Sequence, residues 1–198
     1  MTWPAWPSGA RWRRWSGWLA RWLLAGACAL AQAANLSDDE VAVEYRDGVY
    51  FAHLQLRVAV PQSLALAVLT DFERMPDFMP GLEQSRVLAH SGQRWQVQQQ
   101  GRLSFGPFHL NFANERLIEL LADGRIIATG LSGVRKMRSE LRTQAIGSST
   151  LLDYRLELLP EQWIPAGLGV NFMQHELAGQ FTALAGEMER RFQAQKHQ

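Results

Sequence analysis

The sequence predicts an α+β domain in which an antiparallel sheet turns one dry face toward a long C-terminal helix. Three observations carry this. Residues 49–60 alternate along their whole length, with Tyr50, Ala52, Leu54, Leu56, Val58 and Val60 on one side and His53, Gln55 and Arg57 on the other. That is the period of a half-buried strand. Residues 82–160 repeat strand-like segments between the turn signals Ser91-Gly92, Gly106-Pro107, Asp123-Gly124, Ser132-Gly133 and Gly147-Ser148, the spacing of an antiparallel meander. After Trp163-Ile164-Pro165 the period changes, and Met173, Leu177, Phe181, Leu184, Met188 and Phe192 step by three or four along one face of a helix.

The first 33 residues stand apart from this pattern. They carry Arg11, Arg13, Arg14 and Arg21, no acidic residue, six of the eight tryptophans and the sole cysteine, Cys28. Residues 22–31 are an unbroken apolar run of ten, followed by Ala31-Gln32-Ala33. A basic start, a short apolar stretch and an A-x-A site describe a secretory signal. Ten residues rise only about 15 Å as a helix, half a bilayer core. Residues 1–33 are therefore expected to be a cleaved export signal and 34–198 the mature, periplasmic domain. An uncleaved anchor, lipidation at Ala25-Gly26-Ala27-Cys28 and a twin-arginine route through Arg13-Arg14 are the alternatives.

Cleavage after Ala33 would lower Lys plus Arg from 20 to 16 against 19 acidic residues, so the net charge would pass from +1 to −3. The basicity belongs to the signal, and no basic face remains to argue for nucleic acid. The mature chain would hold no cysteine, which excludes a disulfide, a thiolate metal site and a cysteine nucleophile. Its roughly 165 residues are enough to be held by a core alone.

In order, the mature part opens on a polar leader at residues 35–40, and Asp47-Gly48 marks a tight hairpin before the first long strand. Pro61 ends that strand. Residues 62–71 read as a short helix with Leu64, Ala67 and Val68 on one side, and 72–80, with two prolines, as one or two helical turns. In the strands that follow, alternation places Trp95, Val97, Gln99 and Gly101 on one side. Phe108, Leu110, Phe112, Asn114 and Arg116 share another. Met137, Ser139, Leu141, Thr143 and Ala145 oppose Lys136, Arg138, Glu140 and Arg142, and Leu152, Tyr154, Leu156 and Leu158 oppose Asp153, Arg155 and Glu157. Gly179 and Gly186 weaken the last helix and are expected to admit the sheet or a ligand closely.

Val60-Pro61, then Ala67-Val68-Leu69-Thr70-Asp71-Phe72, then Met75-Pro76-Asp77-Phe78-Met79-Pro80 resemble a stretch typical of the bacterial START and SRPBCC superfamily. These are the polyketide cyclase/dehydrase and coenzyme Q-binding-like proteins, which share a birch-pollen-allergen-like fold. Leu158-Leu159-Pro160 with Ile164-Pro165 and the terminal helix is similar to the family's closing segment, so the resemblance spans about 41–192. It implies a helix-grip fold: a curved sheet of six to seven strands around the C-terminal helix, two short helices after the first long strand, and a cavity between sheet and helix. The chain departs from the family where Ala67 stands near a frequent Trp and where 135–142 lacks a frequent aromatic, both expected to alter the cavity wall.

The chemistry is sparse. His53 and His109 fall on wet faces, His90 lies beside a turn, His197 is terminal and His175 is near the apolar stripe without being in it. No metal-ligand spacing or nucleophile motif is present, so no catalytic residue, metal or cofactor is expected. More informative are the inward polar residues Gln99, Asn114, Arg116, Ser139, Thr143 and Tyr154, each of which must be satisfied by neighbours or face a ligand. A bulge beside Arg116 would turn it out to water. The ligand-binding candidates are Gln99, Phe112, Asn114, Arg116, Met137, Tyr154, Met173, Leu177 and Phe181, with Phe72 and Phe78 from the insert. There Phe72, Met75, Phe78 and Met79 are either core or a pliable lid.

Three functions follow. The first is a non-enzymatic periplasmic carrier of a lipid, quinone or polyketide-like molecule, with transient membrane contact and no nucleic-acid partner. The second is a cyclase or aromatase steering enolate chemistry through Arg116, Tyr154 or His175. The third is an interaction subunit of the cell envelope whose cavity its own side chains fill.

Overall fold

The computed structural model describes residues 35–106, 108–161 and 165–197. The expected export signal at 1–33 lies outside the described residues, as do Trp163 and Ile164.

Among the described residues there are eight strands, one more than the upper expectation: β1 (Ala42–Arg46), β2 (Val49–Val58), β3 (Leu82–Ser91), β4 (Arg94–Phe105), β5 (Phe108–Leu120), β6 (Arg125–Ser132), β7 (Lys136–Ile146) and β8 (Ser149–Leu159). They form one antiparallel sheet in the order β1-β2-β8-β7-β6-β5-β4-β3. The extra strand is β1, only five residues long and with no fully buried position. The Asp47-Gly48 turn pairs it with β2, both residues having positive φ (51° and 85°), as a two-residue primed hairpin requires. From β2 the chain crosses to the opposite edge through α1 (Gln62–Leu69) and a 3-10 turn, Phe72–Asp77. A meander then returns to β8, beside β2. The long helix α2 (Ala166–Lys196) follows. This is the helix-grip arrangement that the resemblance implied. Among the described residues no helix is long and apolar enough to cross a membrane.

The alternation in β2 is realised as read, with Tyr50, Ala52, Leu54, Leu56, Val58 and Val60 all buried. On α2 the stripe Met173, Leu177, Phe181, Leu184 and Met188 is buried, while Phe192 is partly covered. Burying these five side chains contributes on the order of 10 kcal/mol of transfer free energy, an upper figure because the unfolded chain is not fully extended. The polar leader is more structured than its composition suggests. Leu36 and Val41 are buried. The Leu36 amide donates to Thr182 Oγ1 (3.0 Å) and Gln174 Nε2 donates to the Val41 carbonyl (2.9 Å), tying the leader to α2. Between them Ser37 and Glu40 close a capping box on a 3-10 turn, Asp38–Glu40.

On α1 the buried residues are Leu64, Ala65, Val68 and Leu69, and Ala67 is exposed. The expected Ala67 face is therefore corrected: the helix is entered from an extended Pro61, and the eight-residue turn that results points Ala65 and Leu69 inward. The departure at Ala67 consequently leaves the cavity wall untouched.

The five glycines of the predicted turns all have positive φ. Gly133 is the most constrained. Its φ is +76°, and a Cβ there would lie 2.1 Å from the Ala113 carbonyl oxygen of β5. Gly133→Ala is expected to cost at least about 2 kcal/mol, combining left-handed strain with a clash against backbone. A lowered urea midpoint at unchanged slope would measure it.

Candidate functional site

The sheet and α2 do not close completely on each other. A cavity of about 380 Å³ lies between them, walled mainly by apolar side chains of β4–β8, α2 and the Phe72–Asp77 turn. That volume is at the small end of ligand pockets, about 300–1,000 Å³. Three of the lining residues are exposed, Pro80, Leu110 and Gly133. A core with this space left in it is not the filled interior that the interaction-subunit alternative requires.

Ten of the eleven ligand-binding candidates line this cavity: Phe72, Gln99, Phe112, Asn114, Arg116, Met137, Tyr154, Met173, Leu177 and Phe181. Phe78 does not. The 3-10 turn ends there, and its ring packs instead toward the Arg191 guanidinium of α2, 6.0 Å from ring centre to Cζ. From the same insert Met75, Met79 and Pro80 reach the cavity, and the buried Phe72 meets Trp95 edge-on at 5.6 Å.

Arg116 keeps the inward place that alternation assigns it, although a bulge is present. The β4–β5 register runs unbroken from Arg94↔Glu119 to Phe105↔Phe108 and sets Arg116 opposite the buried Val97. The irregularity is on β6, where pairing jumps from Arg116↔Gly130 to Glu115↔Ser132. Leu131 is the unpaired residue, 51% exposed. The bulge therefore turns out a leucine of β6 and leaves β5 straight.

The inward polar residues divide into two groups. Gln99 Nε2 donates to Ser85 Oγ (3.1 Å) and approaches Met75 Sδ (3.6 Å). Thr143 Oγ1 donates to the Gly124 carbonyl (2.9 Å) and accepts from Gln62 Nε2 (2.9 Å). Tyr154 is hydrogen-bonded with Ser139 and stacks obliquely on Phe181 at 5.0 Å. Burial pushes its hydroxyl pKa up, against the opposing pull of Ser139 and of the nearby Arg116 charge. These residues are satisfied within the fold. Asn114 and Arg116 are not: Asn114 Oδ1 and Arg116 Nε are both shielded from solvent and without a hydrogen-bond partner. Desolvation lowers the Arg116 pKa.

Sequence reasoning missed several lining residues. Phe172, Glu176 and Gln180 lie on α2 beside the apolar stripe. Burial raises the Glu176 pKa, opposed by the adjacent His175. Tyr50 was legible as inward but not as lining. The glycine expectation on α2 is also corrected. A Cβ at Gly179 or Gly186 would meet nothing within 4 Å, whereas one at Gly169 would fall 2.0 Å from Tyr50 Oη. It is the first turn of α2 that approaches the sheet.

None of the histidines lines the cavity. His53 contacts Asp153 (3.2 Å), His175 contacts Asp38 (3.2 Å), His109 meets Ser104 (2.9 Å) and His90 stacks on Trp95. Among the described residues no group of three or more His, Cys, Asp or Glu is placed to hold a metal.

The family described as polyketide cyclase / dehydrase and lipid transport matches residues 58–184. Among solved structures, a START superfamily protein from Mycobacterium smegmatis superposes with a TM-score of 0.62 at 17% identity, covering 71% of this chain and 97% of that one. The Zhui aromatase/cyclase from Streptomyces sp. R1128 gives 0.59 at 20% identity, covering 73% and 96%. A STAR-related lipid transfer protein from Xanthomonas axonopodis gives 0.57 at 13%, covering 76% and 99%. Identities this low speak for the fold alone. Among curated proteins none matches the chain. The family match spans well over half of the sequence and the helix-grip fold agrees with it, so the chain belongs to the polyketide cyclase / dehydrase and lipid transport family of the START superfamily.

Proposed function

We propose that this protein is a periplasmic binder or carrier of a small hydrophobic molecule, held between the sheet and α2. The family and fold are those of hydrophobic-ligand binding or of cyclase and aromatase chemistry. One observation favours binding: a cavity of about 380 Å³ between sheet and helix whose walls are mainly apolar. Removing apolar surface from water at about 25 cal/mol per Å² is enough for useful affinity without a reactive group. The size suits a single-chain or compact ring molecule better than a two-chain phospholipid. The periplasmic assignment rests on the basic, apolar and A-x-A pattern of residues 1–33.

A cyclase or aromatase reading is favoured by one feature, the Tyr154 hydroxyl bonded with Ser139 near Arg116 inside the cavity. It requires turnover of an added polyketide-like substrate.

The carrier reading is tested by mass spectrometry of the organic extract of protein isolated from its native envelope. A stoichiometric apolar compound is expected. An empty extract, from folded protein that also fails to bind a neutral apolar dye, would overturn it.

A further inference from the structure

The least explained group in the cavity is the Arg116 guanidinium. It lines the cavity as a partly buried residue, and its Nε is shielded from solvent with no hydrogen-bond partner. Among the described residues Arg116 makes no ion pair and no side-chain hydrogen bond, and the nearest electrostatic neighbour is the neutral Tyr154. Glu176, the other charged lining residue, belongs to α2 and forms no ion pair with it. Arginine stays protonated even when burial lowers its pKa, so the fold holds a positive charge without a counter-ion. A buried charge is normally paired, because leaving one unpaired is strongly destabilising.

Asn114 compounds the oddity. It lies two residues before Arg116 on the same face of β5, and its side-chain Oδ1 also has no hydrogen-bond partner; the rest of the inward polar set, Gln99, Ser139, Thr143 and Tyr154, is satisfied internally. The unpaired groups are thus neighbours, about 7 Å apart along the strand. The row Leu110, Phe112, Asn114, Arg116 and Ile118 shows where they stand. Leu110 is 39% exposed and Ile118 is 5% exposed, so the row runs from the surface inward, with Arg116 about 20 Å along the strand from Leu110.

We propose that the molecule bound here is a single-chain or compact organic acid that enters head first, its anionic oxygens meeting Arg116 and Asn114 and its apolar body filling the cavity toward Leu110. A carboxylate and a phosphate monoester share this chemistry, each offering two or more acceptor oxygens to a guanidinium fork. The Asn114 amide supplies a donor to one oxygen, or an acceptor when the head is protonated. The inference rests on the carrier reading, since it assigns the ligand's head group within that same cavity.

The test uses the full chain and the neutral dye N-phenylnaphthylamine, displaced in turn by laurate, lauryl phosphate and lauryl alcohol. Laurate or lauryl phosphate is expected to displace the dye at a concentration at least about tenfold lower than lauryl alcohol, as charge-assisted hydrogen bonds imply. The better of the two acids identifies the head group. Arg116→Gln is expected to abolish that preference, and Arg116→Lys to retain part of it. Equal displacement by acid and alcohol in the wild type, or a preference that survives Arg116→Gln, would overturn the assignment and leave the carrier reading intact. Failure of the folded protein to bind the dye at all would overturn both. Circular dichroism of both variants confirms that a lost preference is not lost structure.

Discussion

Glu187→Ala is expected to lower the unfolding free energy by about 3 kcal/mol, because it dismantles a nearly buried charge cluster. The Glu187 side chain is 6% exposed. Its oxygens accept from Arg190 Nε and Nη2, both at 2.7 Å, and from Arg191 Nε at 2.6 Å. Arg191, only 17% exposed, extends the cluster to Asp71 through Nη2 at 2.7 Å. The pair is close in charge without being well aligned, and Nη2 gains little as a hydrogen bond. Removing Glu187 leaves that guanidinium with Asp71 alone, at the point where α1 turns into the Phe72–Asp77 wall of the cavity.

The same group makes a pH prediction. Arg190, chiefly, and Arg191 hold the Glu187 pKa at about 2 against an ordinary 4.5. A depressed carboxylate stabilises the fold above the unfolded value and loses that contribution as pH falls through the folded one. The stability difference between wild type and Glu187→Ala should therefore be constant from neutral pH to about 5, and more than half lost by about pH 3. Urea unfolding of both proteins across that range measures it. A difference independent of pH would mean that Glu187 stabilises by packing rather than by charge. Arg190 is 62% exposed, so its share is screened and shrinks in high salt.

Phe181→Ala carries a comparable expected cost, about 3–5 kcal/mol, and a second effect that the first substitution lacks. The ring is 4% exposed, packs on Tyr154 at 5.0 Å and forms part of the cavity wall. Its removal extends the existing space instead of opening a separate void. The variant should melt at lower temperature and recover more of its melting point than wild type when N-phenylnaphthylamine is added, because the ligand fills what the ring vacated. Equal dye-induced shifts in the two proteins would place Phe181 outside the ligand volume.

Both substitutions lie on α2, the element that the sequence announced best. A stripe stepping by three and four from Met173 to Phe192 has one physical reading over that length, and Phe181 and Met188 were legible as inward before any coordinates. Glu187 was not. It sits beside Met188 in sequence, and what buries it is Arg191 reaching across to Asp71, more than a hundred residues earlier in the chain.

What the sequence determined by itself is whatever depends on local period and turn chemistry. The alternation of β2, the positive-φ glycines of the meander, the Asp47-Gly48 hairpin and the wet and dry faces of β5 and β7 all follow from side chains a few residues apart. So the line Phe112, Asn114 and Arg116 could be placed inward, together with Gln99 and Tyr154. What tertiary structure decided is which inward residues meet one another and which meet nothing. Gln99 finds a partner on β3, and Thr143 finds partners on α1 and in the β5–β6 turn, while Arg116 and Asn114 are left unpaired over a cavity. The side on which the β6 bulge falls, the packing of Phe78 toward Arg191 and the approach of Gly169 to Tyr50 are likewise set by long-range packing. Hydrogen-bond satisfaction and empty volume belong to the assembled fold, because each depends on atoms brought together from distant parts of the chain.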